Sequence, residues 1–289
     1  NCLLISVVAR NARLHTNTNL LVASLAFTDV LMGVQCCIIG MTGFSVGVRS
    51  WLATSDLHIF DVFMLSINLS LIGVSLLHVF SLALDRYLYV LWPFRYRRYV
   101  TRRTVLAVAV VSWTLGLVYA LLPLALFNGH RHRQLCILMD IPVSFSYVPI
   151  GCVYVVCLGV VTYCTAGLVR LAHQHRRGRP RKLIGNGDSK MELKVNFNVK
   201  QEQCARFFNR SNLKIIKFVL VVFVSFLVCT FPPVTLLSLD KIFNLSLFSE
   251  NDFAIDILRF MVMSNSGINF FSITYMNRDF RRALVKSLP

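Results

Sequence analysis

Residues Val62–Tyr87 read VFMLSINLSLIGVSLLHVFSLALDRY. From Val62 to Leu84 the run carries no charged side chain, and it is long enough to cross a bilayer, whose hydrocarbon core needs about 20 apolar residues. It ends on Asp85-Arg86-Tyr87 and is followed by Pro93 and a cluster of arginines. A carboxylate and a guanidinium are costly in lipid unless paired or hydrated. The pair therefore marks the mouth of a membrane span, and the sequence predicts a helix whose inner end presents an arginine.

Working outward, five more apolar stretches are long enough to span: Leu20–Phe44, Val105–Phe127, Val143–Ala172, Ile215–Leu239 and Ala254–Met276. Cys2–Ala9 covers less than half of the hydrocarbon core at about 1.5 Å per residue. It is read as the end of a first span whose beginning lies outside the sequence. The expected fold class is all-α membrane, a seven-helix bundle with a truncated first helix, forming one domain over residues 1–289. Of the 289 residues, 56% are hydrophobic and 15% charged, against about 25% charged in soluble domains.

The net charge of +17 is distributed unevenly. If connectors alternate sides, one side collects Arg10, Arg13, Arg95, Arg97, Arg98, Arg102, Arg103, the basic stretch from Arg170 to Lys217, and Arg278, Arg281, Arg282 and Lys286. The other side holds Arg49, Arg131, Arg133 and Lys241. Membrane proteins keep their positive loops in the cytoplasm, so Arg86 is cytoplasmic and nucleic acid is not the partner this charge serves. Nine cysteines are scattered, mostly within apolar runs, without disulfide or zinc spacing.

Most connectors are short and polar: Arg10–Thr16 and Trp92–Arg103 inside, Gly47–Asp56 and Asn128–Asp140 outside. The long one, residues 173–212, has Arg176, Arg177, Arg179, Pro180 and Arg181 before a Gly185-Asn-Gly187 turn, and is expected to be a flexible cytoplasmic loop. After the last span, residues 277–287 place Phe280 and Leu284 one turn apart among Arg281, Arg282 and Lys286. That is the pattern of an amphipathic helix on the inner leaflet. No internal repeat of the kind found in transporters is visible.

Polar residues inside the spans are few, so each is informative. Asn68, Ser75 and Arg86 fall on one helical stripe. Asp29 lies within its span, and Asn265, Ser266 and Asn269 cluster in the last one. With these stripes facing inward, Asp29, Ser75, Ser266 and Asn269 surround either a hydrated cation such as sodium or a water-bridged network without an ion. Arg259 has two readings, a contact for an anionic group of a ligand or a helix salt bridge to Asp256. His130/His132 and His173/His175 lack metal-binding spacing, Asn244-Leu-Ser246 is a glycosylation sequon, and no catalytic motif occurs, so an enzyme is not expected.

Taken in order, these residues resemble the rhodopsin-like (class A) G-protein-coupled receptors along nearly the whole chain. Asn1 matches the first helix, and Leu14-His-Thr16 with Asn19 and Ser24-Leu-Ala-x-x-Asp29 the second. Asp85-Arg86-Tyr87 with Pro93 and Phe94 matches the third and its following loop; Trp113 and Pro123 match the fourth. Phe226-x-x-Cys229-x-x-Pro232 matches the sixth-helix hinge, and Asn265-Ser266-x-x-Asn269 with Asn277-x-x-Phe280-Arg281 the seventh. The resemblance implies a multi-pass plasma-membrane receptor that couples an extracellular ligand to a heterotrimeric G protein. Asp85, Arg86, Tyr87, Pro93, Phe94, Tyr163 and Asn269 would form the coupling switch, and Asn68, Ile72, Thr230, Arg259 and Met263 would line the ligand pocket.

Several positions depart from the family pattern. Asp61 stands where a disulfide cysteine is usual, Thr230 where a tryptophan is, and Asn269-Phe270-x-x-Ile273 replaces Asn-Pro-x-x-Tyr. Asn212 replaces the acid that would pair with Arg86 from the sixth helix. Tyr163-Cys164 with Leu168-Val169-Arg170, and Cys229-Thr-Phe-Pro232 with Asp240, are similar to the group holding lysophospholipid, cannabinoid, melanocortin and adenosine receptors. Asn68 replaces the carboxylate of amine receptors, and Met263 the lysine that opsins need, so amine and retinal ligands are disfavoured. The weakened switch implies partial signalling without ligand; the competing reading is a non-signalling decoy or accessory protein, or a transporter.

Overall fold

The computed structural model describes residues 1–44, 57–127, 148–177, 210–243, 252–276 and 278–287. Every regular element among them is helical: α1 (Cys2–Arg10), a 3-10 turn (Ala12–Leu14), α2 (Asn17–Phe44), α3 (Leu57–Leu91), α4 (Pro93–Tyr99), α5 (Arg102–Phe127), α6 (Val148–Arg177), α7 (Arg210–Phe243), α8 (Asp252–Met276) and α9 (Arg278–Ser287). Four of these, α2, α3, α5 and α7, are long and apolar enough to cross a membrane, and α6 carries a shorter apolar stretch, Gly151–Gly167.

The long apolar runs expected from the sequence lie within helices, except that residues 143–147 of the run Val143–Ala172 fall outside the described residues, and the helix ends have local causes. Thr16 Oγ1 accepts the amide of Asn19 at 3.3 Å at the start of α2, and Thr101 Oγ1 accepts that of Thr104 at 3.3 Å at the start of α5. Both are hydroxyl N-caps, which satisfy amides left over in a first helical turn. Pro93 stops α3, because the residue before a proline avoids helical dihedrals. The same proline then starts α4 in the first turn, where its missing N–H costs nothing. The Trp92–Arg103 connector is thus helical in its middle, which its polar composition did not indicate.

α3 is the hub, packing against α2, α5, α6 and α7. Its close approach to α5 depends on Gly116. Ser70 Oγ donates to the Gly116 carbonyl at 2.7 Å, and a Cβ at 116 would collide with a Val74 methyl. α9 tucks Phe280 and Leu284 into the main apolar cluster, where they join Leu4 and Val7 of α1. The sequon at Asn244, the expected outside loops, and residues 178–209 of the long connector lie outside the described residues, while α6 and α7 extend into that connector from either end.

Candidate functional site

Two polar assemblies sit on the apolar frame. The first joins α2 to α8. Asp29 is 4% exposed; its Oδ1 accepts the Ser266 hydroxyl at 2.9 Å and its Oδ2 the Asn269 amide at 3.3 Å. Asn1 Nδ2 donates to the Ser266 carbonyl at 3.0 Å and so pins α1 to the same turn of α8. Several oxygens here are buried without a partner: Asn1 Oδ1, Asn265 Oδ1, Asn269 Oδ1 and the hydroxyl of Ser75 on α3. Buried polar atoms are nearly always hydrogen-bonded. A carboxylate among surplus oxygen acceptors has the donor chemistry of a hard-cation or water site.

The second assembly closes the end of α3. Arg86 Nη2 pairs with Asp85 Oδ2 at 2.7 Å, and both side chains are buried. The same Oδ2 accepts the Thr18 hydroxyl of α2 at 3.1 Å, while Oδ1 accepts the Tyr96 phenol of α4 at 2.6 Å. Burial first, and the Asp85 hydrogen bond second, push the Tyr96 phenol above its ordinary range, so it remains a donor at neutral pH. The Arg86 guanidinium also lies over the Tyr89 ring at 5.7 Å, with its Nε unpartnered. Thr18 and Tyr96 were not singled out from the sequence; a hydroxyl at the start of a span and a tyrosine in a connector carry no signal until the fold brings them to one carboxylate.

Between the two lies a chain of hydrogen bonds across α2, α3 and α5. Trp113 Nε1 donates to Ser24 Oγ at 3.0 Å, and Ser24 pairs with His78 Nε2 at 2.7 Å. His78 Nδ1 meets the Val74 carbonyl at 2.7 Å. A carbonyl only accepts, so Nδ1 carries a hydrogen; with Ser24 already accepting from Trp113, its own hydrogen goes to Nε2 of the neutral ring. Every polar atom of the chain is used.

Other candidate residues are placed as follows. Tyr163 is exposed, with its ring 6.1 Å from that of Tyr87. Phe226 and Cys229 are buried, and Pro232 lies inside α7, where Thr235 donates to the carbonyls of Phe231 at 2.7 Å and Pro232 at 3.1 Å. Asn68 Nδ2 donates to Gln35 Oε1 at 3.5 Å, and Gln35 Nε2 to the Met64 carbonyl at 2.5 Å. Ile72 is packed with Met32, Leu71 and Val262 in an apolar cluster, Thr230 is buried, Met263 is partly buried and Arg259 is exposed. The side chains of Asp61, Pro93, Phe94, Asn212 and Asp256 lie outside the described residues, as does Asn277.

The family model for the 7 transmembrane receptor (rhodopsin family) matches residues 1–270. Melatonin receptor type 1B-B of Danio rerio is 28% identical over 99% of the chain and 76% of its own length. Trace amine-associated receptor 1 of Mus musculus is 32% identical over 42% of the chain and 35% of its own, and adenosine receptor A3 of Ovis aries 30% over 44% and 38%.

Proposed function

The chain belongs to the rhodopsin family of 7 transmembrane receptors, and on that premise we propose that it is a seven-span plasma-membrane receptor which turns binding of an extracellular ligand into nucleotide exchange on a heterotrimeric G protein. In this reading α1, α2, α3, α5, α6, α7 and α8 are the spans, residues 173–212 are the third cytoplasmic loop, and α9 lies on the inner leaflet. The observation that carries it is the Arg86 clasp: a buried guanidinium held back by its own neighbour, Asp85, with Nε unused. Outward movement of α7 would open the end of α3 to the G protein. Arg86 would then trade the clasp for carbonyl acceptors on the partner, with Phe94 packing beside it and Tyr163 of α6 meeting Tyr87 at the same level.

Asp29, Ser75, Asn265, Ser266 and Asn269 serve as the seam that transmits ligand binding, holding sodium or water while the receptor is at rest. Phe226, Cys229 and Pro232 form the hinge of α7. The ligand pocket opens at the far end of α3, around Asn68, Ile72, Thr230, Arg259 and Met263. Asn68 supplies no charge for an ammonium, and the Asn68–Gln35 amide pair suits a neutral hydrogen-bonding ligand or a peptide backbone. The match to an amine-named relative covers less than half of the chain, whereas the melatonin-named one covers nearly all of it.

A non-signalling membrane protein is the second reading, favoured by Thr230, 1% exposed, in the α7 position where the family's tryptophan is usual, and by Asn269-Phe270-x-x-Ile273 in α8. Guanine-nucleotide exchange on a G protein, measured in membranes bearing the full-length chain, separates the two. Exchange above that of empty membranes, enhanced by a compound from a ligand panel, is the expected result; no exchange with any G-protein class sinks the receptor reading.

A further inference from the structure

A cleft of about 210 Å³ opens where α1, α2 and the start of α5 meet, at the same end of the bundle as Arg86. Its walls are apolar, with Ile5 and Val8 on α1 and Leu20 and Ala23 on α2, and its rim carries His15 and Arg102. Among the described residues no acidic side chain lines it. Arg10 at the end of α1 and Arg103 beside Arg102 are exposed and add to the positive field. The rim is held in place by polar contacts: Asn17 Nδ2 donates to the Val100 carbonyl at 3.0 Å, and Asn19 Nδ2 to that of Leu14 at 2.9 Å. His15 Nε2 donates to the Val8 carbonyl at 3.0 Å, which fixes the ring at the rim.

We infer that this cleft holds one anionic phospholipid of the adjoining leaflet, an acyl chain against the α1–α2 walls and the phosphate at Arg102. Two chemistries meet in one site, and they decide the occupant. A soluble phosphate would leave the apolar walls wet, and an uncharged lipid or sterol would leave the guanidinium without an acceptor. A phosphate on an acyl chain satisfies both, and arginine is the side chain best shaped for it. The assignment of that leaflet as the cytoplasmic one rests on the receptor reading; the binding site itself does not.

The test is photolabelling of the full-length chain in phosphatidylcholine nanodiscs containing a minor fraction of phosphatidic acid with a photoreactive acyl chain. Labelled peptides should come from residues 5–23, with photoreactive phosphatidylcholine labelling them less. Arg102→Ala should lower that labelling about fivefold, the equivalent of roughly 1 kcal/mol for one basic residue at a membrane surface. Ala23→Trp, which fills the apolar wall, should abolish it, and Ile5→Trp serves the same purpose should the first variant unfold. The inference is overturned if label spreads evenly over all helices, or if Arg281→Ala lowers it as much as Arg102→Ala. Displacement of the lipid by glycerol phosphate, or equal retention of a photoreactive sterol, overturns it as well. A chain that labels in the cleft yet drives no nucleotide exchange keeps the lipid site and loses the receptor reading.

Discussion

Two buried carboxylates, Asp29 in the middle of α2 and Asp85 at the end of α3, meet opposite surroundings. Asp29 receives two neutral hydrogen bonds and is set among oxygens that have no donor. Asp85 receives a guanidinium, a phenol and a hydroxyl, and the atom left over is a donor, Arg86 Nε. One region has acceptors to spare and the other a donor. The surplus tells what each can still take: a cation or water at Asp29, and carbonyl or carboxylate oxygens of a partner at Arg86. On the proposed reading the asymmetry has a use: a resting seam stabilised from within and an inner mouth completed from outside.

The largest expected effect breaks the second region. Arg86→Ala leaves Asp85 buried without its cation, and breaking a buried pair from one side costs about 3–5 kcal/mol. Thermal unfolding in detergent should show that loss, and nucleotide exchange should vanish even where ligand still binds. Normal exchange in the variant would remove Arg86 from coupling. Next comes Asp29→Asn, which swaps a carboxylate for a neutral amide without changing its shape. The wild-type chain should melt higher in sodium chloride than in an equal concentration of a bulky-cation chloride, and the variant should not. Equal melting of the wild type in both salts would leave Asp29 with water alone.

How much of this the sequence disclosed follows from contrast. Asp29, Asn265, Ser266 and Asn269 were visible because a polar side chain in an apolar run is rare, and Ser266 and Asn269 indeed bond Asp29. The long apolar runs marked the helices, though not which of them meet. Tyr96 was invisible for the opposite reason: in a connector crowded with Arg95, Arg97 and Arg98 one more polar ring is background. The helix that aims it at Asp85 begins on a proline, which in a sequence reads equally well as a stop. Ile72, placed at the pocket by its position, also packs against Met32 and Val262, neighbours that its position alone did not disclose. Long-range pairs such as Thr18–Asp85 and Trp113–Ser24 need the packed bundle, since nothing local to either partner specifies the other.

The smallest effects resolve the clasp into its parts. Tyr96→Phe removes one hydrogen bond to Asp85 and keeps the ring, a loss of about 0.5–1.5 kcal/mol from the resting state. Basal exchange should rise severalfold if opening of the clasp limits it. The phenol's raised pKa sets the sign of the pH dependence: a group protonated when folded stabilises the clasp below its unfolded value, near 10, and loses that stabilisation only as pH climbs through the higher folded value. Tyr96 therefore confers no pH dependence on basal exchange between pH 6 and pH 8, and any slope there that Tyr96→Phe abolishes would contradict the clasp geometry. Thr18→Val deletes the remaining neutral donor, at a longer 3.1 Å contact shared with the Arg86 pair, so its rise in basal exchange should be smaller than that of Tyr96→Phe. Restoration by Thr18→Ser, which returns the hydroxyl without the methyl, would assign the effect to the hydrogen bond; a Ser variant that behaves like Val would assign it to packing at the start of α2.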